Sequence, residues 1–285
     1  MDTGERLNPM VWHGEEAPTG VFLDQSTDGL TLVGMPSLLA RRRPRVAFDA
    51  KATPAVLAIL NDLLAALKDD RLRPHAIDIT NLSSDERDLI GDVIGDGDVS
   101  IVAGRAPLYQ VQEATLTGVW RVRALDETGA VVTDRIEVGD IATVVRETAR
   151  TFAYPSPVMP VRLPQGVMNA LPVFAEIADR SADWKPGQEN HILNFTLLPM
   201  TPEDTAFLTG LLGQIPLSIV SSGYGTCRII GTGLKNVWGV QYLNASGQVI
   251  LDTVEIGDVP PAAMAGAEDF EDSAVRLTEI MEAYL

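Results

Sequence analysis

Apolar positions follow two rhythms along this chain, and their alternation predicts an α+β protein. Val56, Leu57, Leu60, Leu63, Leu64 and Leu67 recur at three- and four-residue intervals behind Thr53 and Pro54, so an amphipathic helix is expected with Thr53 as its cap and Pro54 in its first turn. A short strand over 75–80 follows, then SSDERDLIGDVIG, in which Ser83 and Glu86 have capping-box spacing. Leu89, Ile90, Val93 and Ile94 form the inward stripe of that second helix, and Gly95 supplies its stop. The rhythm then changes to period two, predicting strands over 99–102, 109–115, 119–125 and 131–138 with a turn at 126–129. A helix over 141–152 ends the passage. About the first 45 residues lack either rhythm and are dense in Gly, Pro and Asp, the mark of a loop-rich arm with at most short strands at 20–24 and 30–33.

The same passage recurs further along. Trp120 returns as Trp238, 118 residues later, and at that spacing Ser83 becomes Thr201, Glu86 becomes Asp204, and Gly95 becomes Gly213. Asp134, Glu137, Gly139 and Asp140 return as Asp252, Glu255, Gly257 and Asp258. His75 returns as His191 at a spacing of 116, so two residues are inserted between the first strand and its helix in the second passage. The predicted architecture is two tandem copies of a helix–strand–helix–antiparallel meander–helix unit forming a pseudo-twofold pair, with helices over one face of a mostly antiparallel sheet. The expected divisions are an N-terminal arm (1–50), a first repeat (51–153), a Pro-rich linker (154–166) and a second repeat (167–285).

Charge and composition then narrow the function. With 39 acidic against 22 basic residues the chain carries −17, which repels nucleic-acid phosphates and anionic membrane surfaces. A single cysteine cannot form an internal disulfide or supply a Cys-rich zinc or iron–sulfur ligand set, which suits a reducing cytosol. The polar N-terminus has no apolar signal core, and no run of ~20 apolar residues occurs, so a cytoplasmic location without membrane contact is expected. The basic run RRRPR at 41–45 reads as a linker.

The repeat also sorts the candidates for chemistry, because a residue kept in both copies is explained most simply by the shared fold. His75 and His191 each open a strand, and His13 lies in the arm. The pairs Asp134/Glu137 and Asp252/Glu255 are expected on solvated strand faces, with Asp140 and Asp258 as helix caps. No Ser/His/Asp set, HExxH or P-loop occurs, and no catalytic residue, metal site or cofactor is assigned. What remains is where the copies differ. GYGTCR at 223–228 replaces RAPLYQ at 105–110, placing Cys227 where the first copy has Tyr109 and Arg228 where it has Gln110. Glycines 223, 225, 231, 233 and 239 crowd the same region. Either these are bulged hairpin strands around a buried thiol, or another backbone approaches closely there. On the second reading the candidate partner-binding residues are Gly223, Tyr224, Gly225, Cys227, Arg228, Asn236, Trp238 and Gln241.

Four blocks in this half, LPQGVMNA (163–170), HILNFTLLPMTPED (191–204), SSGYGTCRI (221–229) and NVWGVQYLN (236–244), resemble the signature of the HupH/HyaF hydrogenase expression and formation proteins. The resemblance covers 160–285 most fully, the first copy more loosely and the arm least, and Thr226 and Gly239 depart from its usual pattern. It implies a non-enzymatic accessory protein, or chaperone, for maturation of a nickel–iron uptake hydrogenase. The implied partners are the precursor of the iron–sulfur small subunit and a thioredoxin-like companion, with the chain itself a monomer or homodimer. The alternatives are an adaptor bridging other maturation factors, or a thiol- or cluster-transfer protein using Cys227.

Overall fold

The computed structural model describes residues 53–156, 162–223 and 225–284. The expected arm over 1–50, including His13 and the basic run, part of the linker, and Tyr224 lie outside these residues. Along the chain the elements are α1 (Pro54–Lys68), β1 (His75–Asp78), α2 (Ser84–Ile94), β2 (Val99–Gly104), β3 (Leu108–Glu113), β4 (Val119–Leu125), β5 (Val131–Val138) and α3 (Thr143–Phe152). They continue as α4 (Ala170–Asp183), β6 (His191–Asn194), α5 (Pro202–Leu212), β7 (Leu217–Ser221), β8 (Thr226–Gly231), β9 (Val237–Leu243), β10 (Val249–Ile256) and α6 (Ala267–Tyr284). The class is α+β, as the two rhythms predict.

All ten strands join one antiparallel sheet in the order β1-β5-β4-β3-β2-β7-β8-β9-β10-β6. The halves meet at β2 and β7, where Ile101 stands opposite Ile219, Val99 opposite Ser221 and Ala103 opposite Leu217. Helix starts are fixed locally. Ser83 and Glu86 form the expected capping box on α2, Thr201 and Asp204 form one on α5, and Gly95 and Gly213 end those helices at φ 62° and 59°. Thr53 caps α1 and also donates to Glu86 Oε1 at 2.7 Å, tying the starts of the first two helices together. Asp204 does more than cap: fully buried, it accepts the backbone N–H groups of Met168, Asn169 and Ala170 at 2.7–2.9 Å. Burial pushes its carboxyl up, but the amides of Thr201, Ala170, Met168 and Asn169 outweigh this and hold it below its ordinary pKa.

Helices lie on both faces of the sheet, not one. Side chains opposite each other across an antiparallel pair share a face. On one face α1, α2 and α6 pack over Ile77, Val119, Ile136 and Val138, while α4 and α5 pack over Ile230, Val237, Val254 and Ile256. On the other face α3 covers a central cluster of Trp120, Val122, Ile101, Ile219, Ile229 and Val240, drawn from both halves. A period-two strand with apolar residues on both sides needs cover on both sides, and the central strands have it.

The helix that ends the second meander does not close its own half. Helix α6 crosses to the first half, where Phe270, Ala274 and Leu277 complete the cluster around α1 and Ser273 Oγ donates to Thr117 O at 2.9 Å. Behind α3 the chain runs to the second half: Tyr154 N donates to Gly233 O at 2.8 Å and Lys235 N to Tyr154 O at 2.9 Å. Burying Phe270 and Leu277 stabilises the assembly by ~1.5–3 kcal/mol each, so the exchange contributes substantially to joining the halves.

Candidate functional site

Two of the second-half glycines, Gly231 and Gly233, are explained by the chain's own packing. A Cβ on Gly233 would stand 2.8 Å from the Tyr154 ring, and one on Gly231 would stand 2.8 Å from Ile215. The close approach that the sequence suggests is therefore made there by Tyr154 and Ile215. Gly223 and Gly225 are exposed in the turn joining β7 to β8.

Strand alternation then divides the remaining candidates between two faces. Cys227 stands opposite Tyr242, and Trp238 opposite Glu255. All but the half-buried Tyr242 are buried on the α3 side, and the Trp238 indole N–H donates to Gly257 O at 3.4 Å. Burial pushes the Cys227 thiol up to about 11, with Glu255 adding to the effect and a Tyr242 hydrogen bond opposing it. Burial likewise carries Tyr242 to about 12 and raises Glu255, whose carboxylate accepts a bond from Asn190 at 3.2 Å. Arg228 extends from the opposite face and does not activate the thiol. Asn236 sits in the β8–β9 loop at φ 57°, accepting Gly257 N at 2.8 Å.

On the other face Arg228, Gln241 and Asp252 form a line across β8, β9 and β10, each opposite the next. Gln241 is fully buried; its Nε2 reaches Asp252 Oδ2 at 3.3 Å and its Oε1 has no hydrogen-bond partner. The line runs between the two helix-covered ends of that face, and the first half has its equivalent there. Asp134 receives a two-pronged bond from Arg121 at 2.7 and 3.1 Å, and Arg123 stands 3.8 Å away. In the second half Gly239 and Gln241 occupy the corresponding positions, and the arginine has moved to Arg228 on the next strand. The same spacing that singles out Cys227 also reveals this redistribution, which concerns charge on a sheet face more than thiol chemistry.

Several carboxylates differ from expectation. Asp134, Glu137, Asp252 and Glu255 are buried, at 2–7 % exposure, and none lies on a solvated face. Glu137 accepts Thr143 N at 2.8 Å and pairs with Arg135 at 2.7 Å, so it performs the capping at α3 expected of Asp140. Asp140 and Asp258 instead grip Arg146 from both sides, with four N···O distances of 2.8–3.0 Å. His75 and His191 pair with Asp62 and Glu176 at 3.1 and 3.0 Å. Among the described residues no three His, Cys, Asp or Glu side chains are grouped to hold a metal, and no helix is long and apolar enough to cross a membrane.

The chain is similar to known proteins over most of its length. The profile of the HupH hydrogenase expression protein, C-terminal conserved region, matches twice, over residues 51–155 and 167–284. The chain is 42% identical over 236 residues to the hydrogenase expression/formation protein HupH of Rhizobium leguminosarum bv. viciae, covering 82% of this chain and 83% of that one. It is 41% identical over 228 residues to HoxQ of Cupriavidus necator, covering 79% and 80% of the two chains. With the hydrogenase-1 operon protein HyaF of Escherichia coli it shares 31% identity over 236 residues, 81% of each chain. A solved structure of hydrogenase expression protein HupH from Thiobacillus denitrificans matches with a TM-score of 0.37 and 27% identity, covering 40% of this chain and 95% of that one.

Proposed function

Because the chain belongs to the HupH hydrogenase expression protein family, we propose that it is a cytoplasmic, non-enzymatic accessory protein in hydrogenase maturation that holds the precursor of the iron–sulfur small subunit of a nickel–iron uptake enzyme. The observation that carries this reading is the family match over both halves, with relatives named as hydrogenase expression/formation proteins. The proposed client surface is the partly exposed Arg228 with the neighbouring exposed turn at Gly223 and Gly225, while Gln241 and Asp252, both buried, support Arg228 from the adjoining strands. Cys227 and Trp238 belong to the supporting core, and a thioredoxin-like companion acts on the same client. The two halves are proposed to be copies of one unit about a pseudo-twofold axis through the Ile101–Ile219 pair, a reading supported by the 118-residue spacing between these two facing residues.

Co-purification with the small-subunit precursor, expressed with and without its signal segment, tests the proposal. Capture of the precursor is the expected result, with Tyr224→Ala/Arg228→Ala weakening capture at unchanged thermal stability. A folded protein that captures neither form refutes the client reading. A folded double variant that binds normally removes the surface assignment alone. The doubled architecture favours one alternative, an adaptor bridging two maturation factors. Native mass spectrometry separates the readings, since an adaptor yields a ternary assembly and a client holder a binary one.

A further inference from the structure

We propose that β6, the outer strand at one end of the sheet, accepts an extended basic segment of a partner protein as an additional strand. The strand order leaves β1 and β6 as the two ends among the described strands, while β8 is paired on both sides. The glycine-rich strand therefore has no free edge to offer, and any added strand must go to an end.

The two ends have the same backbone register but opposite surface chemistry. His75 stands opposite Val138 and Asp78 opposite Arg135; His191 stands opposite Ile256 and Asn194 opposite Thr253, an equivalent alignment. Unpaired N–H and C=O groups on an outer strand are a template for further pairing, and proteins blunt such edges with proline, charge or small polar residues. The β1 end carries such devices in Pro74 and Asp78, with only the small Ala76 and polar Asn81 beside them, all exposed. At the 116-residue spacing, the β6 end has Asn190, Ile192, Asn194 and Leu197 instead. Ile192 is 57% exposed and Leu197 78% exposed. The fold does not require these apolar groups, because the β1 end has the same register without them. They acquire a packing role when another strand lies alongside.

Charge selects the occupant. Glu176 lies 3.0 Å from His191, exposed Glu189 stands two residues ahead of the strand, and the whole chain carries −17. A second copy would bring the same acids and the same net charge to the junction, whereas a basic segment with alternating apolar residues gains main-chain hydrogen bonds, contact with Ile192 and Leu197, and charge attraction. The inference goes beyond the maturation reading, since capture at the edge is measurable whichever protein supplies the segment.

The test uses the full chain and a blocked octapeptide alternating valine and lysine, with binding followed calorimetrically and by hydrogen exchange. Saturable binding is expected, with slowed exchange at β6 and none of that slowing at β1. Ile192→Ala/Leu197→Asn, which installs the residues of the β1 end, should weaken binding at least tenfold at an unchanged melting temperature. A peptide N-methylated at alternate residues and a valine–glutamate peptide should not bind. No binding, protection elsewhere, or equal affinity for the double variant or the N-methylated peptide would overturn the proposal. Dimerisation abolished by the same double variant would also overturn it, by assigning the edge to a second copy.

Discussion

Replacing Arg146 by Met removes a cation held by two carboxylates from opposite halves of the chain. Arg146 makes four charge-assisted contacts of 2.8–3.0 Å, two to Asp140 and two to Asp258. The Arg side chain is 26% exposed and each carboxylate 41%, so solvent screens the attraction and the full value of a buried pair does not apply. Exposed pairs contribute ~0–1 kcal/mol, while removing one partner of a buried pair costs ~3–5 kcal/mol. Two bidentate pairs at intermediate exposure place the expected loss at about 2 kcal/mol, including the repulsion of two carboxylates left without their shared cation. For a domain of this size that corresponds to a melting temperature lower by about 4–8 °C. The pH dependence separates charge from packing. Burial raises Asp258, but the hydrogen bonds and charge of Arg146, with the Val259 amide and Arg150, hold its folded pKa below the ordinary value. A depressed carboxylate stabilises the fold fully above its unfolded pKa of ~3.9 and loses that contribution as pH falls through the folded value. Wild type and Arg146→Met should therefore differ at pH 7 in low salt and converge toward pH 2–3. Urea unfolding of the variant, with Asp258→Asn and the double variant closing a cycle, measures the coupling. Equal stability at pH 7, or a loss that persists unchanged in acid, would refute the electrostatic account.

Glu113 provides a second pH signature. Burial raises its carboxyl to about 7 against the amides of Val99, Asp98 and Gly118, so the folded state holds its proton and stability falls as pH rises from about 4.5 to about 7. Glu113→Gln should gain on wild type over that window, by at most about 3 kcal/mol above pH 7, and a pH-independent difference in chemical denaturation would contradict this. Cys227, buried with its thiol near 11, should resist iodoacetamide at pH 7.5 in the folded protein and react on unfolding; rapid native labelling would return the thiol to the list of reactive groups. Trp238→Ala should cost ~3–5 kcal/mol, so loss of client binding by that variant must be read beside its unfolding curve. A stable, normally folded Trp238→Ala protein would place the indole outside the core.

Much of the fold can be read in the sequence because its determinants are local. Ser83 with Glu86 and Thr201 with Asp204 sit three residues apart, and a capping box needs nothing beyond that spacing. Strand alternation also predicts the meanders to within a few residues at each end. Partners distant along the chain are not legible in the same way. Nothing in the apolar stripe of Phe270, Ala274 and Leu277 says that it packs on Leu60 and Leu63 instead of on its own half. The burial of Glu137 escapes period-two reading because alternation gives a face, while the cover on that face comes from α3, several residues later. The candidate site is half legible for the same reason: the difference between copies identifies Arg228 and Gln241, while the separation of Cys227 from Arg228 follows from pleating and the burial of Trp238 from helix placement. The contrast between the two outer strands was also present in the sequence, as Pro74 against Asn190 and Ala76 against Ile192, but it acquires meaning only once those strands are known to be outermost.

The crossing of α6 onto α1 also sets an order of events during synthesis. The first half emerges from the ribosome with its strands and three helices but without a finished core, since Phe270, Ala274 and Leu277 are more than a hundred residues from the nearest strand of that half. Its apolar floor stays open while the strands of the second half are translated, and closes only when α6 is free. Completion of the first half therefore waits on α6, and a ribosome stalled before that helix would present an unfinished apolar surface to whatever chaperones are at hand.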